Sequence, residues 1–178
     1  MLLLLLLQTE WFIGLEDLPA AITSLAKTPA LVSLMAHGCE VRVVKADDCI
    51  LSPCNRRYLS AKQGAASDLW AALYFTLDNK NCGTCMVASD ATEALRSIAD
   101  ALAPFNARPH WGKLKPAEAT YSSLLERFYS DQGCSAFWNA ILELDPDSKF
   151  RGGAFDAMAK GSHQKDGEGG DLGENRGS

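Results

Sequence analysis

The order in which two apolar periodicities alternate along this chain limits its fold more than any other feature. An apolar run through residues 4–14 reads as a strand ending at Gly14. Leu15 to Lys27 then carries Leu18, Ala21, Ile22 and Leu25 at helical spacing. Cys39 to Lys45 alternates, with Val41 and Val43 set against Glu40 and Arg42, as in a strand with one polar face. Leu69 to Leu77, apolar and aromatic, reads as the next strand. Ser89 to Leu102 places Ala91, Leu95, Ile98 and Leu102 on one helical stripe, with Ser89 as its N-cap. A short extended piece, Ala107 to Trp111, completes the series. Strand, helix, strand, strand, helix, strand is the split βαβ pattern of ferredoxin-like sandwiches. The expected fold class is therefore α+β: an antiparallel sheet with helices on one face, and a polar opposite face free to meet a ligand or another domain.

Local signals punctuate this order. Glu16 and Asp17 open the first helix and Lys27 closes it, matching the helix dipole, before Thr28-Pro29 stops it. Ser52 to Ser67 reads as a loop and Asn79 to Gly83 as a turn. Pro116 opens a further helix to Phe128, and Ser135 to Leu144 forms another, ended by Asp145-Pro146. Lys160 to Ser178 is Gly, Asp, Glu, Lys and Ser with almost no apolar residue, a disordered tail. One domain over residues 1–158 and a tail over 159–178 is the expected organisation, with no internal repeat.

The leucines from Leu2 to Leu7 lack a basic leader and a small-residue cleavage site, and they fall far short of the ~20 residues that span a bilayer. They read as the start of a buried strand. A net charge of −5 with no basic cluster longer than Arg56-Arg57 argues against nucleic acid as a partner. Six cysteines permit disulfides, but a chain with 47% hydrophobic residues has core enough without them, and most read as free thiols.

Three groups carry chemical interest. Arg108-Pro109-His110-Trp111-Gly112-Lys113 brings two cations, an imidazole and an indole into six residues. In extended structure Arg108, His110 and Gly112 face one way and Pro109, Trp111 and Lys113 the other. Arg and Lys orient an oxygen ligand, and His holds a proton near neutral pH. The alternative is a surface turn whose Trp fills the core and whose charges are solvated. Glu40 and Arg42 share a strand face, where one accepts and the other donates hydrogen bonds to a polyol; the alternative is an exposed ion pair. Tyr74 and Thr76 also share a face and line a pocket with hydroxyls, unless they only fill a sheet.

These residues carry a family resemblance. Leu7-Gln8-Thr9-Glu10-Trp11-Phe12, Glu40-Val41-Arg42 with Ala46-Asp47-Asp48, Leu51-Ser52-Pro53 and Phe75-Thr76 stand in order before Ala101-Leu102-Ala103-Pro104-Phe105. Ala107 to Lys113 and Leu144 to Phe150 complete the set. In this order, over roughly residues 7 to 158, the chain resembles the C-terminal, substrate-side part of FAD-dependent alditol (xylitol) oxidases. More broadly it resembles the D-arabinono-1,4-lactone oxidases of the vanillyl-alcohol-oxidase flavoprotein superfamily. The resemblance implies that Glu40, Arg42, Thr76 and Lys113 bind an alditol or sugar lactone. It also implies that Lys113 with Arg42 stabilises the reacting oxygen, and that His110 lies near the flavin and the reacting carbon. FAD is the implied cofactor, O₂ the acceptor and H₂O₂ the product, with no metal.

The departures shape the rest of the expectation. No Gly-rich pyrophosphate fingerprint follows a strand in these 178 residues, so the FAD-binding domain is expected to be absent, the isolated chain inactive, and a separate FAD-binding chain a conceivable partner. Tyr74 stands where alditol oxidases tend to carry His, and Asn79 to Met86 looks like an insertion. The compartment favoured is the cytoplasm; lactone-oxidase relatives are sometimes membrane-associated, but no anchoring segment is expected here. Two other readings stay open. One is a catalytically inactive binding or assembly module. The other is a zinc-thiolate domain built on Cys49, Cys54, Cys82 and Cys85. Cys82 and Cys85 as a thioredoxin-type pair is weaker, because the strand-to-helix setting is only half met.

Overall fold

The computed structural model describes residues 6–29, 31, 35–59, 67–78, 89–114, 116 and 132–150. Four strands form one antiparallel sheet: β1 (Leu6–Gly14), β2 (Met35–Lys45), β3 (Leu69–Asp78) and β4 (Arg108–Pro109). Their order is β2-β3-β1-β4, which a split βαβ unit generates. The α+β class expected from the sequence is the one observed. The chain divides into two compact units, Met1–Tyr121 and Ser122–Ser178. The sheet belongs to the first. The second contains α3 (Gln132–Leu144), which buries Trp138 with the Phe137 ring edge-on at 5.0 Å.

Helix α1 (Leu18–Ala26) follows a 3-10 turn at Leu15–Asp17. Pro19 sits in its first turn, where a missing N–H costs nothing, and Ala21 and Leu25 turn inward. Ile22, expected on the same stripe, is exposed. Helix α2 (Ser89–Leu102) buries Ala91, Ala94, Leu95, Ile98, Ala99 and Leu102, the stripe its spacing predicts. Ser89, expected as its N-cap, is its first helical residue. Ser24 Oγ donates to the Ala101 carbonyl at 2.9 Å and ties the two helices together. After α2, a 3-10 turn at Ala103–Phe105 ends on Asn106, whose left-handed backbone (φ 51) turns the chain into β4.

Alternation assigns each sheet residue to a face. One face carries Leu7, Thr9, Trp11 and Ile13 from β1 and Ala71, Leu73, Phe75 and Leu77 from β3, all buried. Thr9, the polar exception, is satisfied: it donates to the Leu114 carbonyl at 2.9 Å and accepts from Trp11 Nε1 at 3.1 Å. The opposite face carries Gln8, Glu10 and Phe12, then Glu40, Arg42 and Val44, then Trp70, Ala72, Tyr74 and Thr76. Half of it is not free, contrary to expectation. Phe12, Ala46, Cys54, Trp70 and Ala72 form a second core there, with Val44, Tyr58 and Leu59 packed against it.

Among the described residues, no helix is long and apolar enough to cross a membrane. The expected Asn79–Gly83 turn, the Pro116–Phe128 helix beyond its first residue, the tail from Lys160 and the boundary at 158/159 lie outside the described residues.

Candidate active site

The register of the sheet sets the site out in rows. Gln8 lies opposite Thr76. Glu10 lies opposite Tyr74, and Tyr74 opposite Glu40, so two carboxylates flank a phenol across three strands. Phe12, Ala72 and Arg42 form the next row. Arg42 Nη2 donates to Glu40 Oε2 at 2.6 Å, and that carboxylate holds the guanidinium above its ordinary pKa. The guanidinium carbon lies 5.1 Å from the centre of the Tyr74 ring. Lys113 Nζ lies 4.9 Å from the same ring and donates to Gln8 Oε1 at 3.0 Å. Tyr74 thus gathers both predicted cations by its π-face, with Glu40 balancing one charge. Thr76 is buried in the adjoining row.

Lys113 does not take the side that simple alternation from Arg108 assigns to it. Only Arg108 and Pro109 pair as a strand, with Phe12 and Trp11. His110 N donates to the Glu10 carbonyl at 2.9 Å, and Leu114 N to the Gln8 carbonyl at 2.9 Å. Those acceptors are two residues apart while the donors are four apart, so Trp111, Gly112 and Lys113 bulge out of the ladder. The bulge resets the alternation and returns Lys113 to the face that carries Gln8 and Tyr74. Trp111 Nε1 donates to the Leu51 carbonyl at 2.8 Å.

His110 is fixed by three neighbours. Its Nδ1 accepts from Gly112 N at 3.0 Å, which puts the proton of a neutral ring on Nε2. Nε2 lies 4.0 Å from Glu10 Oε2, and the ring stacks on Phe12 at 6.2 Å. Glu10, only 10% exposed at its side chain, was not singled out by the sequence reading. Its signal was present: Gln8 and Glu10 alternate with Thr9 and Trp11, which places it on the polar face. Arg108, read as a possible ligand-orienting cation, is instead buried in the second core with its guanidinium carbon 3.3 Å from the Tyr58 ring centre.

The loop after β2 closes the neighbouring half of this face. Asp47 anchors it by accepting from Cys49 N at 2.9 Å and from Ser52 Oγ at 2.7 Å. Buried Asn55 donates to the Cys49 carbonyl at 2.7 Å and caps the Arg56–Tyr58 turn by accepting from Arg57 N at 2.9 Å. Burial, reinforced by the Asp47 charge, pushes the Cys54 thiol up to about 12. Cys54 is buried, whereas Cys49 is exposed. Cys82 and Cys85 lie outside the described residues, and no cluster of three metal-ligating side chains occurs among the described ones.

Glu10, Glu40, Arg42, Tyr74, His110 and Lys113 therefore converge on one open half-face. Carboxylates can accept hydrogen bonds from hydroxyls, and held cations can donate to an oxygen that carries negative charge. The family model for D-arabinono-1,4-lactone oxidase, an oxidoreductase family of flavoproteins, matches residues 3–158 and so spans β1 through α3. On that match, the chain belongs to the D-arabinono-1,4-lactone oxidase family.

Proposed function

We propose that this chain is the substrate-side part of an FAD-dependent oxidase that oxidises a carbinol of a sugar lactone, or the primary alcohol of an alditol, with O₂ as acceptor. The observation that carries this reading is the convergence of Arg42 and Lys113 on Tyr74 beside Glu40. Two held cations next to an accepting carboxylate suit a polyhydroxylated ligand whose reacting oxygen becomes more negative as its hydroxyl proton leaves, which makes hydride departure from carbon easier.

The residues fit part of the cofactor. His110 and the open half-face suit the flat, hydrogen-bonding ring system of FAD. The pyrophosphate has no matching cradle among the described residues: α1 begins behind Glu16 and Asp17, and α2 begins Ser89-Asp90. The phosphates are then held by protein outside the described residues. FAD, when bound, supplies the hydride acceptor and the route to O₂, which leaves as H₂O₂.

This chain's own residues do the rest. Glu40 accepts from substrate hydroxyls and Thr76 adds a further hydroxyl contact. Arg42 and Lys113 hold the reacting oxygen, and Gln8 Oε1 keeps Lys113 from swinging into solvent. His110, with its proton on Nε2, borders the reacting carbon and the flavin ring.

The test is H₂O₂ release by the flavin-loaded enzyme with xylitol, sorbitol and an aldono-1,4-lactone, alongside its flavin absorbance. A yellow protein that releases H₂O₂ with one of these, and loses it in Lys113→Ala, supports the proposal. Bound flavin with no H₂O₂ from any of the three would sink it and leave the binding-module reading in its place.

A further inference from the structure

Strand β2 lies at an edge of the sheet. It pairs with β3 on one side, and the strand order gives it no second neighbour among the described residues. An open edge presents unpaired N–H and C=O groups that template further pairing. On one face of this edge Val41 and Val43 are 42% and 59% exposed, and Cys39 beside them is exposed. On the other face the side chains of Glu40 and Arg42 are 59% and 56% exposed. Gly38, at φ +82, coincides with a break in the pairing between Met35 and Cys39, so the regular part of the edge runs from Cys39 to Lys45.

We propose that this edge joins two copies of the chain through antiparallel β2–β2 pairing centred on Val41. Symmetry restricts the choices. A two-fold axis that sets two edge strands antiparallel runs perpendicular to the sheet, so like faces stay together and the axis passes through one residue. Through Arg42, it sets two guanidinium groups against each other and Cys39 against Lys45. Through Glu40, it opposes two carboxylates and leaves Arg42 facing Gly38. Through Val43, it opposes Arg42 to Val44 and Glu40 to Ala46, so no opposite charges meet across the joint. Through Val41, Glu40 of each copy meets Arg42 of the other, twice, and Val41 meets Val41.

The same axis sets Cys39 against Val43, so a strip of exposed apolar side chains runs unbroken across the joint. Charged residues usually keep edges apart because like meets like. Here opposite charges stand two residues apart, and the pattern is complementary to itself. The joint would make one eight-stranded sheet and put two candidate sites on the same face. The inference rests on the edge alone and does not depend on the proposed activity.

Sedimentation of the full chain tests it. A concentration-dependent dimer is expected. Glu40→Arg and Arg42→Glu should each weaken it on the order of tenfold, and the double exchange should restore it. Geometry is read separately by mild oxidation in a Cys39→Ser background. Val41→Cys should give a disulfide-linked dimer, whereas Val43→Cys should link only when Cys39 is retained. A monomer throughout, a dimer indifferent to the charge exchange, or a dimer in which Val41→Cys does not link overturns the proposal. So does a monomer whose β2 edge amides are protected from exchange, because another segment of the protein would then cover that edge.

Discussion

The two halves of the sheet face opposite the buried one come from the same strands, and neighbouring rows differ by only two residues. One half has Phe12, Val44, Trp70 and Ala72 and is sealed by the loop from Ala46 to Leu59. The other has Glu10, Glu40, Arg42 and Tyr74, and the side chains of Glu40 and Arg42 are exposed. Strand alternation decides which face a residue occupies, and it cannot decide whether that face is covered. Side-chain chemistry does. Sealing the apolar half gains burial, and the loop satisfies its own backbone through Asp47 and Asn55. Sealing the charged half would strip water from Glu40 and Arg42 for no equivalent gain. Two residues bridge the halves: Phe12, in the second core and stacked on His110, and Trp111, tied by its indole to the sealing loop.

The strongest test of this contrast makes one change in each half. Trp70→Ala should cost about 3–5 kcal/mol in urea unfolding, because it empties the second core. Trp70 Nε1 has no hydrogen-bond partner among the described residues, so the loss is chiefly packing. A cost under about 1 kcal/mol would mean the sealed half is not a core. In the flavin-loaded enzyme, Lys113→Met should lower kcat roughly 10²–10³-fold while leaving the melting temperature almost unmoved. If both variants chiefly lower stability, the division into a structural and a chemical half fails.

Both halves were legible in the sequence to different depths. The βαββαβ order, the α2 stripe and the shared face of Glu40 and Arg42 followed from periodicity, because those signals are local. The family resemblance named His110 and Lys113, but alternation alone put Lys113 on the wrong side. The four-against-two bulge beside β1 depends on which carbonyls β1 offers, and no window around Lys113 contains that information. Arg108 looked like site chemistry for a similar reason. Its burial under Tyr58 depends on a loop some fifty residues earlier in the chain. Glu10 was readable from its own strand, because alternation with Thr9 and Trp11 places it on the face of Gln8 and Tyr74.

A smaller effect probes how the sealing loop supports the site. Asn55→Ala removes the bond to the Cys49 carbonyl and the cap on Arg57 N, and should cost about 1–2 kcal/mol. The loop also holds the bulge through Leu51 and Trp111. Trp111→Phe, which keeps an aromatic ring but loses that bond and part of the indole's volume, should cost about 1–3 kcal/mol of stability. It should also lower kcat more than it changes KM, because Lys113 loses its placement rather than its charge. Unchanged kcat in Trp111→Phe would show that the open half positions its cations without help from the sealed one.

The smallest effect separates the halves by thiol chemistry. Cys54, inside the second core, has its pKa pushed from an ordinary 9.0 to about 12 by burial and by Asp47, whereas Cys49 is exposed. Folding therefore favours the neutral Cys54 thiol. That contribution is whole below pH 9.0 and is lost as pH rises toward about 12. Native protein at about pH 8 should label quickly at Cys49 and only through unfolding at Cys54. Between about pH 8 and about pH 10.5, the wild type should lose more unfolding free energy than Cys54→Ala, which has no thiol to ionise. Rapid labelling of Cys54 in the native state, or equal alkaline losses in the two proteins, would place Cys54 in contact with water. The sealing loop would then be a lid lying over the sheet, and the contrast between a closed and an open half would reduce to a difference in charge.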